Sequence, residues 1–281
     1  MLQISELELR KIQLVELELM EEVKRLCELH RIPYVIIAGT LLGSVRHGGF
    51  IPWDDDADIA MLREDYERFR EVCSKELIGS NYYFQDDVLT EGYRWGYGKF
   101  RRADTVFRRE NQEHMPYPNG ISIDIFPMDG VPDLYLLRVW KNFQCFCIRK
   151  LLWSEVGKVA EKKKWKRRIY RRLSGIPEIK VKRIYHRLIN KCPKNSKYVR
   201  ILMFPCPNRT YGYERRFYSE RKDYVFEGVT FSGIKDAEGY LRFKFGDYHS
   251  YPPVAERIKK QHPVTAIKFP DDDKIREEKT E

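Results

Sequence analysis

Four aspartates crowd into five consecutive positions, Asp54, Asp55, Asp56 and Asp58, and Pro52, Trp53, Ile59 and Met61 bracket them with core-type residues. No other feature restricts the fold so tightly. Read as an extended strand over Phe50–Met61, the run alternates its side chains, so that Asp54, Asp56 and Asp58 project from one face, neighbours roughly 6–7 Å apart, while Asp55 and Ala57 face the other way. Like charges repel and burial strips their hydration, so a fold keeps such carboxylates together only where a cation settles among them. An all-oxygen donor set suits Mg²⁺ or Mn²⁺ rather than zinc. The competing reading, an exposed acidic loop, sits poorly with the apolar flanks.

A further carboxylate, Asp124, stands inside the apolar run Ile121-Ser122-Ile123-Asp124-Ile125-Phe126. An aspartate there is costly unless it is paired or bound to metal. As a neighbouring strand it would bring a further ligand to the same ions, matching the ligand demand of two-metal phosphoryl transfer. Upstream, the short strand Tyr34–Ala38 runs into Gly39-Thr40, where a helix opened by a threonine N-cap would offer free amides, a dipole and a hydroxyl to phosphate. No G-x-x-x-x-G-K-[ST] occurs, which disfavours P-loop chemistry. Arg46, His47, Lys99 and Arg101 are candidate phosphate contacts; a solvated surface is the alternative for each.

Around these motifs the pattern is mixed. Ser5 and Glu8 form a capping box for an amphipathic helix ending near His30, and Arg63–Leu77 reads as a second helix. Strands are predicted at Tyr82–Gln85, Tyr97–Arg101, Thr105–Arg109, Ile121–Phe126 and near Val225–Phe231, with helices over 134–173 and 178–190. Six scattered cysteines with no C-x-x-C pair read as reduced thiols of a cytoplasmic protein, and the first twenty residues lack the apolar core of a secretion signal.

Charge divides the chain further. Leu136–Arg200 holds 21 Lys or Arg against three acids, a net of +18, which leaves −8 for the rest of a +10 chain. Within that segment Leu136, Trp140, Phe143, Cys147 and Leu151 form an apolar stripe interrupted by Arg138, Lys141, Arg149 and Lys150, and Lys162–Arg168 is almost wholly basic around Trp165. The stripe fits either a helix packed on the core or one lying on an anionic membrane surface. Nucleic acid is the least favoured partner. The division expected is a catalytic core over 1–135, a basic helical insertion over 136–200, a segment completing the core over 201–268 and a disordered acidic tail over 269–281.

The string AGTLLGSVRHGGFIPWDDDADI, followed by KFRRADTVF, IDIFP, YVFEGVTF and YLRFKFGDYHSYPP with a closing His262, resembles the LicD family of phosphocholine and fukutin-related transferases. The likeness runs from about Ile12 to His262. Ala38 stands where that family often has a second glycine, and Ala57 where a branched apolar residue is usual. The resemblance implies an α+β, nucleotidyltransferase-like mixed-sheet core. It implies transfer of a phosphorylated alcohol, foremost phosphocholine, from a CDP-linked donor to a sugar hydroxyl of a cell-surface glycan or teichoic-acid precursor, possibly lipid-linked in its acceptor form. By the same resemblance Asp56, Asp58 and Asp124 would be catalytic and hold the metal, Asp54 would assist as a further metal carboxylate, and Gly39 and Thr40 would cradle the donor phosphates. The alternatives are a nucleotidyltransferase releasing pyrophosphate and a non-catalytic binding module. The protein would act in the cytoplasm, in peripheral contact with the inner face of the membrane.

Overall fold

The computed structural model describes residues 2–206, 209–253, 257 and 261–277. The chain opens with helix α1 (Glu6–Leu29), whose capping box has Ser5 Oγ accepting from the Glu8 amide while the Glu8 carboxylate accepts from the Ser5 amide. Strand β1 (Val35–Ile36) follows, then α2 (Ala38–His47), β2 (Asp58–Leu62), α3 (Arg63–Glu76), β3 (Tyr82–Gln85), β4 (Gly98–Arg102), β5 (Val106–Arg109) and β6 (Ser122–Val131). Four helices come next: α4 (Tyr135–Leu152), α5 (Ser154–Ala160), α6 (Lys164–Ser174) and α7 (Glu178–Asn190). The chain then forms β7 (Tyr198–Arg200), β8 (Tyr213–Glu214), α8 (Arg216–Ser219), β9 (Arg221–Phe226), β10 (Val229–Ile234), α9 (Ala237–Phe245), β11 (Val264–Lys268) and β12 (Arg276–Glu277).

The main sheet runs β3-β4-β6-β2-β1-β10-β9, with β7 and β8 continuing from the far end of β6. It is mixed: β2 pairs with β6, and β1 with β10, in parallel, and the other pairings are antiparallel. This is the α+β mixed-sheet core the sequence predicts. The β2–β6 pairing sets Asp58 directly opposite Asp124. Helix α1 lays its apolar face, with Leu19, Met20, Val23 and Leu26 fully buried, over β4 and β6, and α3 covers β2, β3 and β6. A smaller sheet, β12-β11-β5, returns the end of the chain to the middle of the sequence.

Three local readings are corrected. Strand β2 begins only at Asp58, so Asp54, Asp55 and Asp56 lie in an extended loop before it. Helix α2 begins at Ala38 with Ile37 as its N-cap, so Thr40 lies inside the helix and not at its cap. Residues beyond 268 are not a free tail as far as Glu277: Phe269 is buried, and β12 pairs with β11. Residues 278–281 lie outside the described residues.

The basic segment is inserted between β6 and β7 and has a small core of its own, built from Cys145, Ile148 and Leu152 of α4 and Val181, Tyr185, Leu188 and Ile189 of α7. Its first helix is turned opposite to its apolar stripe. Arg138 and Lys141 are buried with Cys145, Ile148 and Leu152, while Leu136, Trp140, Phe143 and Cys147 face solvent, Trp140 being 57% exposed. The buried cations end on backbone carbonyls. Arg138 donates to the carbonyls of Thr210 and Pro132 at 3.0 and 3.1 Å, and Lys141 Nζ to that of Leu188 at 2.8 Å, in the last turn of α7 where carbonyls lack helical partners.

Candidate active site

The aspartate loop is held in place from several sides. Gln13 of α1 donates through Nε2 to the carbonyl of Asp54 at 3.0 Å. Glu227, in the β9–β10 turn, accepts from the Phe50 amide at 3.0 Å and from Arg10 Nη2 at 2.6 Å. A Cβ on Gly49 would sit 2.2 Å from that Glu227 oxygen, so the turn feeding the loop tolerates no side chain there. Gly39 serves a similar need, since a Cβ on it would lie 2.6 Å from Asp54 Oδ2. Its bareness lets the Asp54 carboxylate reach the positive start of α2.

Although the strand begins late, the loop keeps the alternation. Asp54, Asp56 and Asp58 line one lobe of a cleft, about 500 Å³, with Gly39 and Arg46; Asp56 and Asp58 continue into a second lobe, about 380 Å³, which also holds Asp124, Arg109, Tyr97 and His262. Lys244 of α9 borders both lobes. Asp55 turns away. Its oxygens accept from the His262 backbone amide at 2.8 Å and meet His262 Nδ1 at 3.0 Å, fixing the histidine at the cleft wall.

The electrostatics show unmet negative charge. Burial pushes the Asp58 carboxyl well above the usual aspartate range, reinforced by Asp56 and Asp124. Asp56 is raised by burial as well, with His262 opposing and Asp55 and Asp124 adding to the shift. Behind them Glu16 of α1 is 1% exposed and its Oε2 has no hydrogen-bond partner among the described residues; burial, then repulsion from Asp56, Asp55, Asp54 and Asp124, holds its carboxyl far above the ordinary value. The cations answer only in part. Burial lowers Lys99 to about 8 despite its ion pair with Asp124, and burial lowers Lys244 against the pull of Asp58 and Asp56. For Arg109 burial opposes the charge, but Asp124, Tyr97, Asp55 and Asp56 outweigh it and raise the guanidinium.

Such a donor set fits a hard divalent cation, because carboxylate oxygens sharing one wall with their charge uncompensated are what Mg²⁺ or Mn²⁺ neutralises. Among the described residues, no three His, Cys, Asp or Glu side chains already converge as a coordination sphere.

Residues 31–150 match the LicD/FKTN/FKRP nucleotidyltransferase domain. Over 92% of its length the chain is also 29% identical to the lipopolysaccharide cholinephosphotransferase LicD of Haemophilus influenzae, across 97% of that protein. The chain belongs to the LicD family. An uncharacterized protein of Rickettsia prowazekii is 44% identical over 128 residues, 44% of this chain and 45% of its own, and one of Rickettsia typhi is 46% identical over 55 residues, 20% and 18% respectively.

Among the residues singled out in the sequence, the LicD-type cleft gathers Asp54, Asp56, Asp58, Asp124, Gly39 and Arg46. Arg46 is anchored by Nη1 donating to the Tyr248 carbonyl at 2.8 Å, with its guanidinium 4.6 Å from the Tyr251 ring centre. Lys99 lies behind the wall, ion-paired with Asp124. Two candidates are placed elsewhere. Thr40 is buried and its hydroxyl accepts from the Asp58 amide at 2.7 Å, so it pins the start of β2 to α2. Arg101 is buried with its guanidinium committed to Gln85 Oε1 and the Gly120 carbonyl, and it lines neither lobe. The sequence reading passed over Glu16, Arg109 and Lys244. Glu16 carried a signal, since it falls amid the buried stripe Ile12, Val15, Leu19, Met20 and Val23, where a helix facing a core has no use for an unpaired carboxylate. Arg109 and Lys244 reach the cleft only through the folding of β5 and α9 and carried none.

Proposed function

We propose that the protein transfers phosphocholine from a CDP-linked donor to a sugar hydroxyl of a surface glycan or its lipid-linked precursor, with Mg²⁺ or Mn²⁺ held by Asp56, Asp58 and Asp124. The observation that carries this is the shared cleft in which those three carboxylates face Arg109 and Lys244, with Asp58 and Asp124 opposed across parallel strands. The Haemophilus influenzae relative, named for cholinephosphotransfer to lipopolysaccharide, supports the choice of group and acceptor.

The chain's own groups divide the work. The start of α2, at Gly39, and the cations Arg109 and Lys244 receive the donor diphosphate. The bound ion neutralises charge on the phosphates as the leaving nucleotide departs. Asp124 accepts the proton of the attacking hydroxyl while the new sugar–oxygen bond to phosphorus forms and the bond to CMP breaks in line. Lys99 holds Asp124 in place, and Asp55 holds His262 at the wall.

The outward stripe on α4 supports contact with an anionic membrane surface. Leu136, Trp140 and Phe143 are exposed there, Trp165 is exposed on α6, and the surrounding segment carries +18. Among the described residues no helix is long and apolar enough to cross a membrane.

Incubation with CDP-choline, CDP-ribitol, CDP-glycerol, CTP or ATP plus magnesium tests the reaction. CMP release from CDP-choline alone or foremost is the expected result. Pyrophosphate release with a nucleotide-bearing product would replace this reading with nucleotidyl transfer. For the surface, binding to anionic vesicles should fall steeply with salt, as attraction between exposed charges is screened within about 8 Å at physiological ionic strength. Reversing Lys162, Lys163, Lys166 and Arg167 should lower vesicle binding and turnover on a lipid-linked acceptor, yet spare a soluble one. Equal loss on both acceptors would assign the segment to the fold or the cleft.

A further inference from the structure

Beside the catalytic cleft lies a second cavity of about 380 Å³, which shares Tyr97, Phe204 and Pro205 with it. Its floor is cationic in an unusual way. Arg94 is 7% exposed, donates through Nη1 to Glu155 Oε1 at 3.0 Å, and leaves Nε and Nη2 buried with no acceptor among the described residues. Arg149 of α4 lines the same cavity, and its Nη1 is likewise buried without an acceptor. Lys150 adds an ammonium at the rim. The one carboxylate close by, Glu155, is already shared between Arg94 and Lys158.

Buried guanidinium donors without acceptors are costly, and native structures rarely keep them unless something supplies the missing oxygens. Burial and the neighbouring Arg200 also work against the charge on Arg149, as in a site waiting for an anion. The planar fork of arginine matches phosphate or carboxylate oxygens. The remaining wall is aromatic. Trp95 is fixed by its indole N–H donating to the Tyr117 hydroxyl at 2.8 Å, and Trp153 by an edge-on contact with Tyr170 at 5.1 Å. Held indole rings beside polar groups suit the apolar faces and polar rim of a sugar ring, and the volume suits one or two sugar units.

We infer that this cavity binds an anionic carbohydrate, its phosphate or carboxylate held by Arg94 and Arg149 and its ring against Trp95 and Trp153. Its role as the seat of the acceptor rests on the transfer proposed above; the binding itself does not. Because Tyr97 and Phe204 belong to both spaces, a sugar seated here extends its next unit toward Asp124.

The test is saturation-transfer NMR on the full chain with glucose 6-phosphate and with glucose, using inorganic phosphate as competitor. Glucose 6-phosphate should bind at least about tenfold more tightly than glucose, the worth of one or two charge-assisted hydrogen bonds. Arg149→Gln should lose about that factor and Arg149→Lys part of it. The melting temperature of Arg149→Gln should hold or rise, since no protein partner is lost and repulsion from Arg200 is relieved. Unchanged glucose 6-phosphate affinity in Arg149→Gln would overturn the assignment, as would equal affinity for glucose. Inorganic phosphate that binds as tightly as the sugar phosphate would reduce the cavity to an anion hole and also overturn it. CMP release from CDP-choline in water, without acceptor, should be the same in Arg149→Gln and the parent chain. Absence of that release from both would sink the proposed reaction while leaving the carbohydrate titration to be judged separately.

Discussion

The acidic cleft and the basic helical insertion both break the rule that charge belongs outside, and they break it differently. In the cleft, Glu16, Asp56 and Asp58 are held where burial and mutual repulsion raise their proton affinity, and the protein offers too few cations to balance them. In the insertion, Arg138 and Lys141 are equally hidden, but each ends on backbone carbonyls that a helix or turn leaves unsatisfied. The first arrangement is unfinished and needs an ion. The second is complete within the chain, and what it leaves outside is aromatic. Buried charge therefore marks a site only where its partners are missing.

The largest effect that could break this comparison is on turnover. Asp56→Asn and Asp58→Asn should each lower CMP release by about a hundred- to a thousandfold or more, the scale on which an electrostatic group of a reaction centre acts. The ion-free melting temperature should stay level or rise, because one member of a repelling cluster is gone. Near-normal turnover in either variant would remove that carboxylate from the chemistry. EDTA should abolish turnover of the parent chain, and Zn²⁺ should not restore it; undiminished release in chelated protein would end the metal-dependent reading.

Next in size is stability within the insertion. Ile148→Ala, on the buried face of α4, should cost about 2–4 kcal/mol of unfolding free energy in denaturant titration, as cavity-forming core substitutions do. Trp140→Ser and Phe143→Ser, on the opposite face, should stay within about 0.5 kcal/mol while lowering vesicle binding. If the aromatic variants proved as costly as Ile148→Ala, the outward stripe would be a packing surface and the contrast between the two regions would fail.

That inversion shows where sequence reading stops. The periodicity over 134–152 establishes a helix but cannot choose its buried side, because Cys145, Ile148 and Leu152 form one apolar arc and Leu136, Trp140 and Phe143 another. The choice is made by carbonyls at Thr210, Pro132 and Leu188, which no local pattern reveals. In α1 the choice is plain, since the capping box and a single apolar arc agree. The cleft divides in the same way. Asp56, Asp58 and Asp124 announced themselves by spacing and setting, and their alternation survived although Asp54–Asp56 form a loop. Thr40 and Arg101 share the spacing of ligands, yet tertiary hydrogen bonds to Asp58, Gln85 and Gly120 claim them.

Glu16 sharpens the comparison through pH. Its folded-state carboxyl is raised, so the folded chain binds more protons there than the unfolded chain does. Its contribution to stability is therefore greatest below the unfolded value near 4.3 and is lost as pH rises toward the raised folded value. In ion-free protein, unfolding free energy measured from pH 5 to pH 9 should decline with pH, and Glu16→Gln should flatten that decline. An unaltered slope would mean that Glu16 does not feel the aspartates. No such slope should be tied to Arg138 or Lys141, whose charges are met by neutral carbonyls.

The smallest expected effect concerns backbone strain beside the cleft. Ala38, the first residue of α2, has φ +50°, in the left-handed region where a Cβ crowds the following carbonyl. Its amide donates to the Tyr240 hydroxyl at 3.3 Å, and the residue borders both lobes, so the conformation is fixed by its surroundings. The LicD resemblance places a glycine at this position in many relatives, and glycine removes the steric term at the cost of a freer unfolded chain. Ala38→Gly should therefore gain about 0.5–1 kcal/mol by denaturant titration, a net of steric relief over lost unfolded-state restriction. Turnover should change less than threefold, because the methyl group touches none of the carboxylates' partners named above. A loss of stability would show that the buried methyl contributes more by packing than it costs in strain. Unlike the carboxylates of the cleft, Ala38 would then be a strained residue whose compensation lies within the chain, as it does for Arg138 and Lys141.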